Sequence, residues 1–184
     1  MPSAWQKRRF VESVRRGKVV SYPTEAVFGL GCDPLSSDAV FSLLKLKKRD
    51  QHKGLILIAS DFSQLSPYLK PLPETVMLKI NDVNQEPTTW LLPVQESVPR
   101  WLTGGRETLA VRLVQHPLAK ELCELAGMAL VSTSANVSGC EPCKTAYQTR
   151  LKFRALGVHT LGGRVGVSTK PSRIIDPLLN KQIR

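Results

Sequence analysis

Gly54-Leu55-Ile56-Leu57-Ile58-Ala59 is a continuous apolar run of strand length. It falls far short of the roughly 18–20 residues that a membrane span needs. A run that is apolar at every position, rather than at alternate ones, fits a strand covered on both faces. Met128-Ala129-Leu130-Val131 has the same character. Strands of this kind need covering layers, and the rest of the chain supplies them. Ser3 is placed to cap a helix whose apolar residues Phe10, Val11 and Val14 share one face, with Gly17 as its stop. Ser36 or Ser37 caps a second helix through Val40, Phe41, Leu43, Leu44 and Leu46. Its last turn and the residues beyond it carry Lys45, Lys47, Lys48 and Arg49, as the helix dipole favours. Pro117 suits the first turn of a helix running to about Gly127, and 145–155 reads as another.

Further strands are expected at 19–22, ended by Pro23, and at 88–92, 109–114, 157–161 and 172–176. Weaker helices are expected near 61–69 and 73–81. The stretch from Thr24 to Asp33 holds Gly29 and Gly31 and reads as a loop or short turn. Helices and strands alternate along the chain, which predicts an α/β layered fold with a mixed sheet. The 184 residues fit one domain, 1–184, with no repeat or long linker. The first residues carry charges with no apolar stretch behind them, so no secretory leader is expected. Four scattered cysteines do not make a disulfide framework, and a reduced, cytoplasmic setting is expected.

Charge gives the first functional indication. The chain holds 26 Lys and Arg against 15 Asp and Glu, a net of +11. Residues 1–60 carry 11 basic and 5 acidic groups, 61–120 carry 6 of each, and 121–184 carry 9 and 4. If the two basic ends meet in the fold, they form a positive surface that attracts nucleotides, nucleic acid or other polyanions. A generally basic, soluble surface would give the same arithmetic.

Two loop regions carry chemistry. Ser132-Thr133-Ser134-Ala135-Asn136-Val137-Ser138-Gly139 follows an apolar strand and gathers hydroxyl and amide groups. Ligands of open α/β sheets sit beyond the carboxyl ends of strands, and such groups suit phosphate and carboxylate oxygens. A turn that satisfies only its own backbone has the same composition. Ser21-Tyr22-Pro23-Thr24-Glu25-Ala26-Val27-Phe28-Gly29-Leu30-Gly31 also follows a strand, with small polar groups and glycines. Its glycine spacing is not that of a dinucleotide fingerprint, and the chain has no P-loop and no serine-hydrolase elbow. Cys140 and Cys143 have redox spacing, but no second Cys or His pair stands at zinc-ligand distance, so no metal site is expected. Cys32 and Cys123 read as small buried apolar residues, and His116, before Pro117, as a neighbour of a helix N-cap rather than a base.

Taken together, these stretches resemble the YrdC-like family, the bacterial threonylcarbamoyl-AMP synthases. The resemblance also draws on Lys47-Lys48-Arg49 with Lys53-Gly54, on Pro99-Arg100-Trp101-Leu102-Thr103-Gly104, on Ala110-Val111-Arg112 with His116-Pro117-Leu118, and on Pro171-Ser172-Arg173. Its most telling signature is the Lys-x-Arg and Ser-x-Asn pair, here Lys47/Arg49 and Ser134/Asn136. The family's fold is a single-domain, twisted, open α/β sheet flanked by helices, with a positively charged concave cavity. The resemblance implies an enzyme joining L-threonine, bicarbonate and ATP, with Mg2+, into threonylcarbamoyl-adenylate and pyrophosphate. Partner proteins would then modify adenosine 37 of tRNAs reading codons that begin with A.

Carried over residue by residue, Thr24, Arg112, Ser132 and Ser172 would contact threonine. Lys47, Arg49, Lys53, Thr108, Ser134, Asn136 and Arg184 would line the ATP site, with Lys47 and Arg49 catalytic. The family's Trp-Pro-Gly-Pro-x-Thr stretch appears here as Asn84-Gln85-Glu86-Pro87-Thr88-Thr89, without its Trp and Gly. Arg173 stands where the family often has a small polar or acidic residue. The competing reading is an RNA-binding module acting in ribosome or rRNA maturation, holding RNA by its phosphates. The chain is only 6% aromatic and shows no paired aromatics of the kind an RNA-reading sheet displays.

Overall fold

In a computed structural model, which describes residues 1–82, 86–168 and 172–183, the chain builds an open nine-stranded sheet flanked by helices. The helices are α1 (Ala4–Arg15), α2 (Ser37–Lys47), α3 (Glu74–Asn81), α4 (Arg100–Thr103), α5 (Pro117–Ala126) and α6 (Ala146–Phe153). The strands are β1 (Val20–Pro23), β2 (Phe28–Cys32), β3 (Ile56–Ala59), β4 (Thr88–Pro93), β5 (Thr108–Leu113), β6 (Leu130–Ser134), β7 (His159–Thr160), β8 (Arg173–Asp176) and β9 (Lys181–Gln182). Their order is β7-β1-β2-β6-β3-β5-β4-β8-β9. β3 pairs with β5, β1 with β7, and β4 with β8 in parallel; the other pairings are antiparallel. The sheet is mixed, as the alternation of elements predicts.

Both faces of the central strands are covered, which explains the continuous apolar runs. Leu57 and Val131 pack in one cluster with Phe28, Leu43 and Val40. Their neighbours Ile58 and Leu130 point the other way, into a second cluster with Phe10, Val14 and Leu122 from α1 and α5. The caps agree with the sequence. Ser3 and Gln6 form a capping box on α1, and Ser36 caps α2. His116, expected beside the cap, is itself the cap of α5 and accepts from the Ala119 N–H.

α4 and β9 were not expected, and three expected segments take another form. The segment read as a glycine loop contains β2, buried at every position. A Cβ at Gly31 would stand 2.5 Å from the Val131 carbonyl oxygen and 2.9 Å from the Tyr22 ring. Glycine serves close packing of backbone and side chain there, not a turn. β6 runs on through Ser132-Thr133-Ser134, because β2 offers partners in register: Gly31 opposite Ser132 and Gly29 opposite Ser134. The helix expected near 61–69 is two short 3-10 turns, Phe62–Gln64 and Ser66–Tyr68, the second with proline in its first turn.

Candidate active site

Ser132 and Ser134 follow Leu130 at alternate positions of β6, so they lie on the face that α1 and α5 cover elsewhere. Arg112 of β5 and Ile56 of β3 lie on that same face, one position on from Val111 and one before Leu57 in the first cluster. Over this part of the sheet there is a cavity of about 250 Å3. Thr24, Glu25, Gly29, Arg49, Pro87, Arg112, Ser132, Ser134 and Ser172 are among its lining residues. All four residues expected to contact threonine are therefore brought together, and Arg49 and Ser134 join them.

The polar groups are held in place. Thr24 donates its hydroxyl to the Val27 carbonyl at 2.8 Å, closing the turn between β1 and β2. The Ser172 hydroxyl lies 2.9 Å from that of the buried Thr89 on β4. The Tyr22 phenol behind Ser132 donates to the Val131 carbonyl at 3.5 Å, and its complete burial pushes its pKa far up and keeps it neutral. The Arg49 guanidinium donates to the Gly54 carbonyl at 2.9 Å, while its Nε–H is buried without a hydrogen bond.

Glu25 was assigned no role from sequence, yet it lines the cavity and forms an ion pair with Arg112 at 3.2 Å. Burial pushes its carboxyl up, but the Arg112 charge and backbone N–H groups outweigh it and hold the pKa below the usual carboxylate range. Its sequence signal was faint: one carboxylate among small and apolar residues directly after a strand.

Beside the cavity stands a second cluster. α2 ends at Lys47, and Lys48 takes a left-handed conformation (φ 48°), after which the chain continues to Arg49. Lys47 is 2% exposed. Its ammonium donates to the carbonyl oxygens of Ser134 and Asn136, and to Asn136 Oδ1 at 3.2 Å. Asn136 in turn accepts from the Ser134 hydroxyl at 2.6 Å and donates to the Val137 and Cys140 carbonyls. Burial, then the charges of Arg49 and Lys152, bring the Lys47 pKa down to about 8. The Lys-x-Arg and Ser-x-Asn pairs thus meet, with Ser134 shared between cluster and cavity.

Other expected site residues lie elsewhere. Lys53 is exposed on a 3-10 turn, and Thr108 is half-buried at the start of β5 opposite Pro93; neither lines the cavity. Arg184 lies outside the described residues, as do Asn84, Gln85 and Pro171 of the two family stretches. Arg173 forms an ion pair with Glu86 at 3.4 Å, so the two places where the chain departs from the family touch each other. Among the described residues, no group of three His, Cys, Asp or Glu is placed to hold a metal ion. No described helix is long and apolar enough to cross a membrane.

Comparison with known proteins bears on this geometry. Residues 12–184 match the model of the Sua5/YciO/YrdC family, described as telomere recombination. The chain is 47% identical over 176 residues to a threonylcarbamoyl-AMP synthase of Yersinia enterocolitica, covering 95% of this chain and 92% of the relative. It is 44% identical over 182 residues to the Yersinia pestis protein of the same name, with the same coverage. Among solved structures, it is similar to P. abyssi Sua5 complexed with L-threonine, with a TM-score of 0.86 and 33% identity. That match covers 97% of this chain but 52% of the other, so the chain spans about half of that protein's length. E. coli YciO matches with a TM-score of 0.81 and 26% identity, covering 96% of this chain and 85% of that one.

Proposed function

The chain belongs to the Sua5/YciO/YrdC family, and from that premise we infer that it is a threonylcarbamoyl-AMP synthase. It joins L-threonine, bicarbonate and ATP into threonylcarbamoyl-adenylate and pyrophosphate, and serves the modification of adenosine 37 in tRNAs that read codons beginning with A. One observation carries this reading. A small polar cavity containing Arg112 is continuous, through Ser134, with the cluster that joins Lys47 to Asn136.

Threonine is a zwitterion, so its site needs a cation for the carboxylate and small polar groups for the amine and hydroxyl. Arg112 supplies the first, and Thr24, Ser132 and Ser172 the second. The neutral amine adds to carbon dioxide derived from bicarbonate and releases a proton, giving a carbamate. A carbamate oxygen then attacks the α-phosphorus of ATP, the bond to the bridging oxygen breaks, and pyrophosphate leaves. No dedicated base or covalent intermediate is required; holding the reactants together and stabilising charge carries the reaction. Arg49 lines the cavity and keeps a buried N–H unspent, and Lys47 acts through its charge and through the loop it fastens. Mg2+ is proposed to enter as the counter-ion of the ATP phosphates and neutralise charge there, since these residues offer phosphate-binding cations rather than a metal cage.

tRNA and the proteins that complete the modification are proposed as partners, in a cytoplasmic setting. Direct RNA binding has its own candidate surface, an open groove lined by Arg16, Lys18, Lys45 and Lys48. An RNA groove alone has no need of the small polar cavity, which is why synthesis is the leading reading.

The test is pyrophosphate release by the purified chain with ATP, Mg2+, bicarbonate and L-threonine, each omitted in turn. Release that requires threonine and bicarbonate is expected. Release independent of both, or none at all alongside salt-sensitive RNA binding, would favour the RNA module.

A further inference from the structure

Arg112 does not stand alone in the cavity. Glu25 faces it, and the two side chains are 11% and 13% exposed. One Glu25 oxygen, Oε1, accepts from the backbone N–H groups of Gln115 and His116, at 3.0 and 3.3 Å. The other, Oε2, is buried without a hydrogen bond and points its charge at Arg112 Nη2 across 3.2 Å. Arg112 Nε is likewise buried without a hydrogen bond.

The backbone that carries this side chain is fixed as well. The Glu25 carbonyl accepts from the Ser168 N–H, the Thr24 carbonyl from the Gly166 N–H, and a Cβ at Gly166 would stand 2.7 Å from the Glu25 carbonyl oxygen. Two segments of chain thus hold Glu25: 166–168 fixes its backbone, and 112–116 sets its carboxylate against the one guanidinium of the threonine set. Nothing in the mechanism above uses that carboxylate.

Its consequence is a matter of charge balance. A lone buried guanidinium would draw in any small carboxylate, including hydroxy acids that lack an amine. With Glu25 beside it, an incoming carboxylate meets attraction and repulsion together at low effective dielectric. A zwitterion brings its own ammonium, which offsets the Glu25 charge while its carboxylate meets Arg112. We propose that Glu25 is a positioning and specificity-determining residue: it aligns Arg112 and restricts the cavity to zwitterionic amino acids, rejecting the corresponding simple acids. This is discrimination by a repulsive element as well as an attractive one. It rests on the reading that the cavity takes threonine.

The test is calorimetric titration of the whole chain with L-threonine and with 3-hydroxybutyrate, which is threonine without its amine. The wild-type chain is expected to bind threonine at least about tenfold more tightly. Glu25→Gln keeps an oxygen for the Gln115 and His116 N–H groups but loses the charge. It is expected to weaken threonine about tenfold and to tighten 3-hydroxybutyrate, with ATP affinity unchanged. Glu25→Asp, which keeps the charge, should retain the wild-type preference even where both affinities fall. Equal losses for both ligands in Glu25→Gln would mean a purely structural role and overturn the proposal.

A second arm needs no variant. Threonine methyl ester carries only the positive end, and with 3-hydroxybutyrate it brackets the zwitterion. Wild-type binding of either within about twofold of threonine overturns the proposal. Failure of the wild-type chain to bind threonine at all overturns the substrate reading and this proposal together, a result distinct from loss of preference in the variant.

Discussion

Lys47 and Arg112 are both buried cations at the candidate site, and their donors are spent in different ways. The Lys47 ammonium is fully committed to Ser134 and Asn136, tying the end of α2 to the loop after β6. Arg112 pairs with a single carboxylate and keeps a buried N–H unspent. One cation makes the shape of the site, while the other is poised to exchange part of its pairing for a ligand. Residue type alone would have given both the same label.

The largest expected effect follows from that contrast. Lys47→Met removes a charge and the ties to Ser134 and Asn136, and it leaves the Asn136 carbonyl without its donor. Turnover should fall about 10²–10³-fold, by analogy with loss of an oxyanion-stabilising donor. The melting temperature should fall with it, because the tie between α2 and the loop is lost and the Asn136 carbonyl is left unsatisfied. Arg112→Lys keeps a positive partner for Glu25 but loses the planar fork. It should raise the threonine KM about tenfold, leaving the ATP KM and melting temperature near wild type. Steady-state kinetics and thermal melts of both variants check this. If Arg112→Lys affects ATP and threonine equally, or Lys47→Met melts like wild type, the division of labour does not hold.

A smaller change sharpens the threonine side. A Cβ at Gly29 would lie 3.2 Å from Thr24 Cγ2 and 3.4 Å from Ser132 Oγ. Gly29→Ala therefore presses on two of the proposed threonine contacts and on none of the Lys47 hydrogen bonds. The threonine KM should rise about threefold to tenfold, as expected of a displacement of a few tenths of an ångström. An equal rise in the ATP KM would show that the two subsites are not mechanically separate.

Much of this was legible in local pattern. α1, α2 and α5 announce themselves by caps and periodicity, and β3 and the start of β6 by apolar runs, because each signal is contained in its own segment. β2 was not legible. Its glycines look like a turn until Tyr22 and Val131 are seen to occupy the space a side chain would need. The polar end of β6 was read as loop because its strand character comes from pairing with β2. At the site, the motif residues converge, but Glu25 acquires its meaning only from Arg112, far along the chain. Lys47 looked like a phosphate ligand and nothing more, since carbonyl oxygens that capture an ammonium leave no trace in sequence.

The smallest expected effect is one of pH, and it separates what Lys47 does for the fold from what it does for a ligand. Its pKa is brought down to about 8 by burial, with Arg49 and Lys152 adding to the effect. In the unfolded chain the group titrates near its ordinary 10.5. Between these values the unfolded state binds more protons than the folded one, so this group's contribution to stability rises as pH rises through that window. The charge it offers to phosphates changes in the opposite sense, fading as pH passes about 8. The ATP KM should therefore increase about twofold to fivefold between pH 7 and 9, with no matching loss of thermal stability from this group. Lys47→Arg, protonated throughout that range, should show a flat ATP profile. Parallel profiles in the two proteins would mean that the Lys47 charge is not felt by the nucleotide, leaving it a fastener alone.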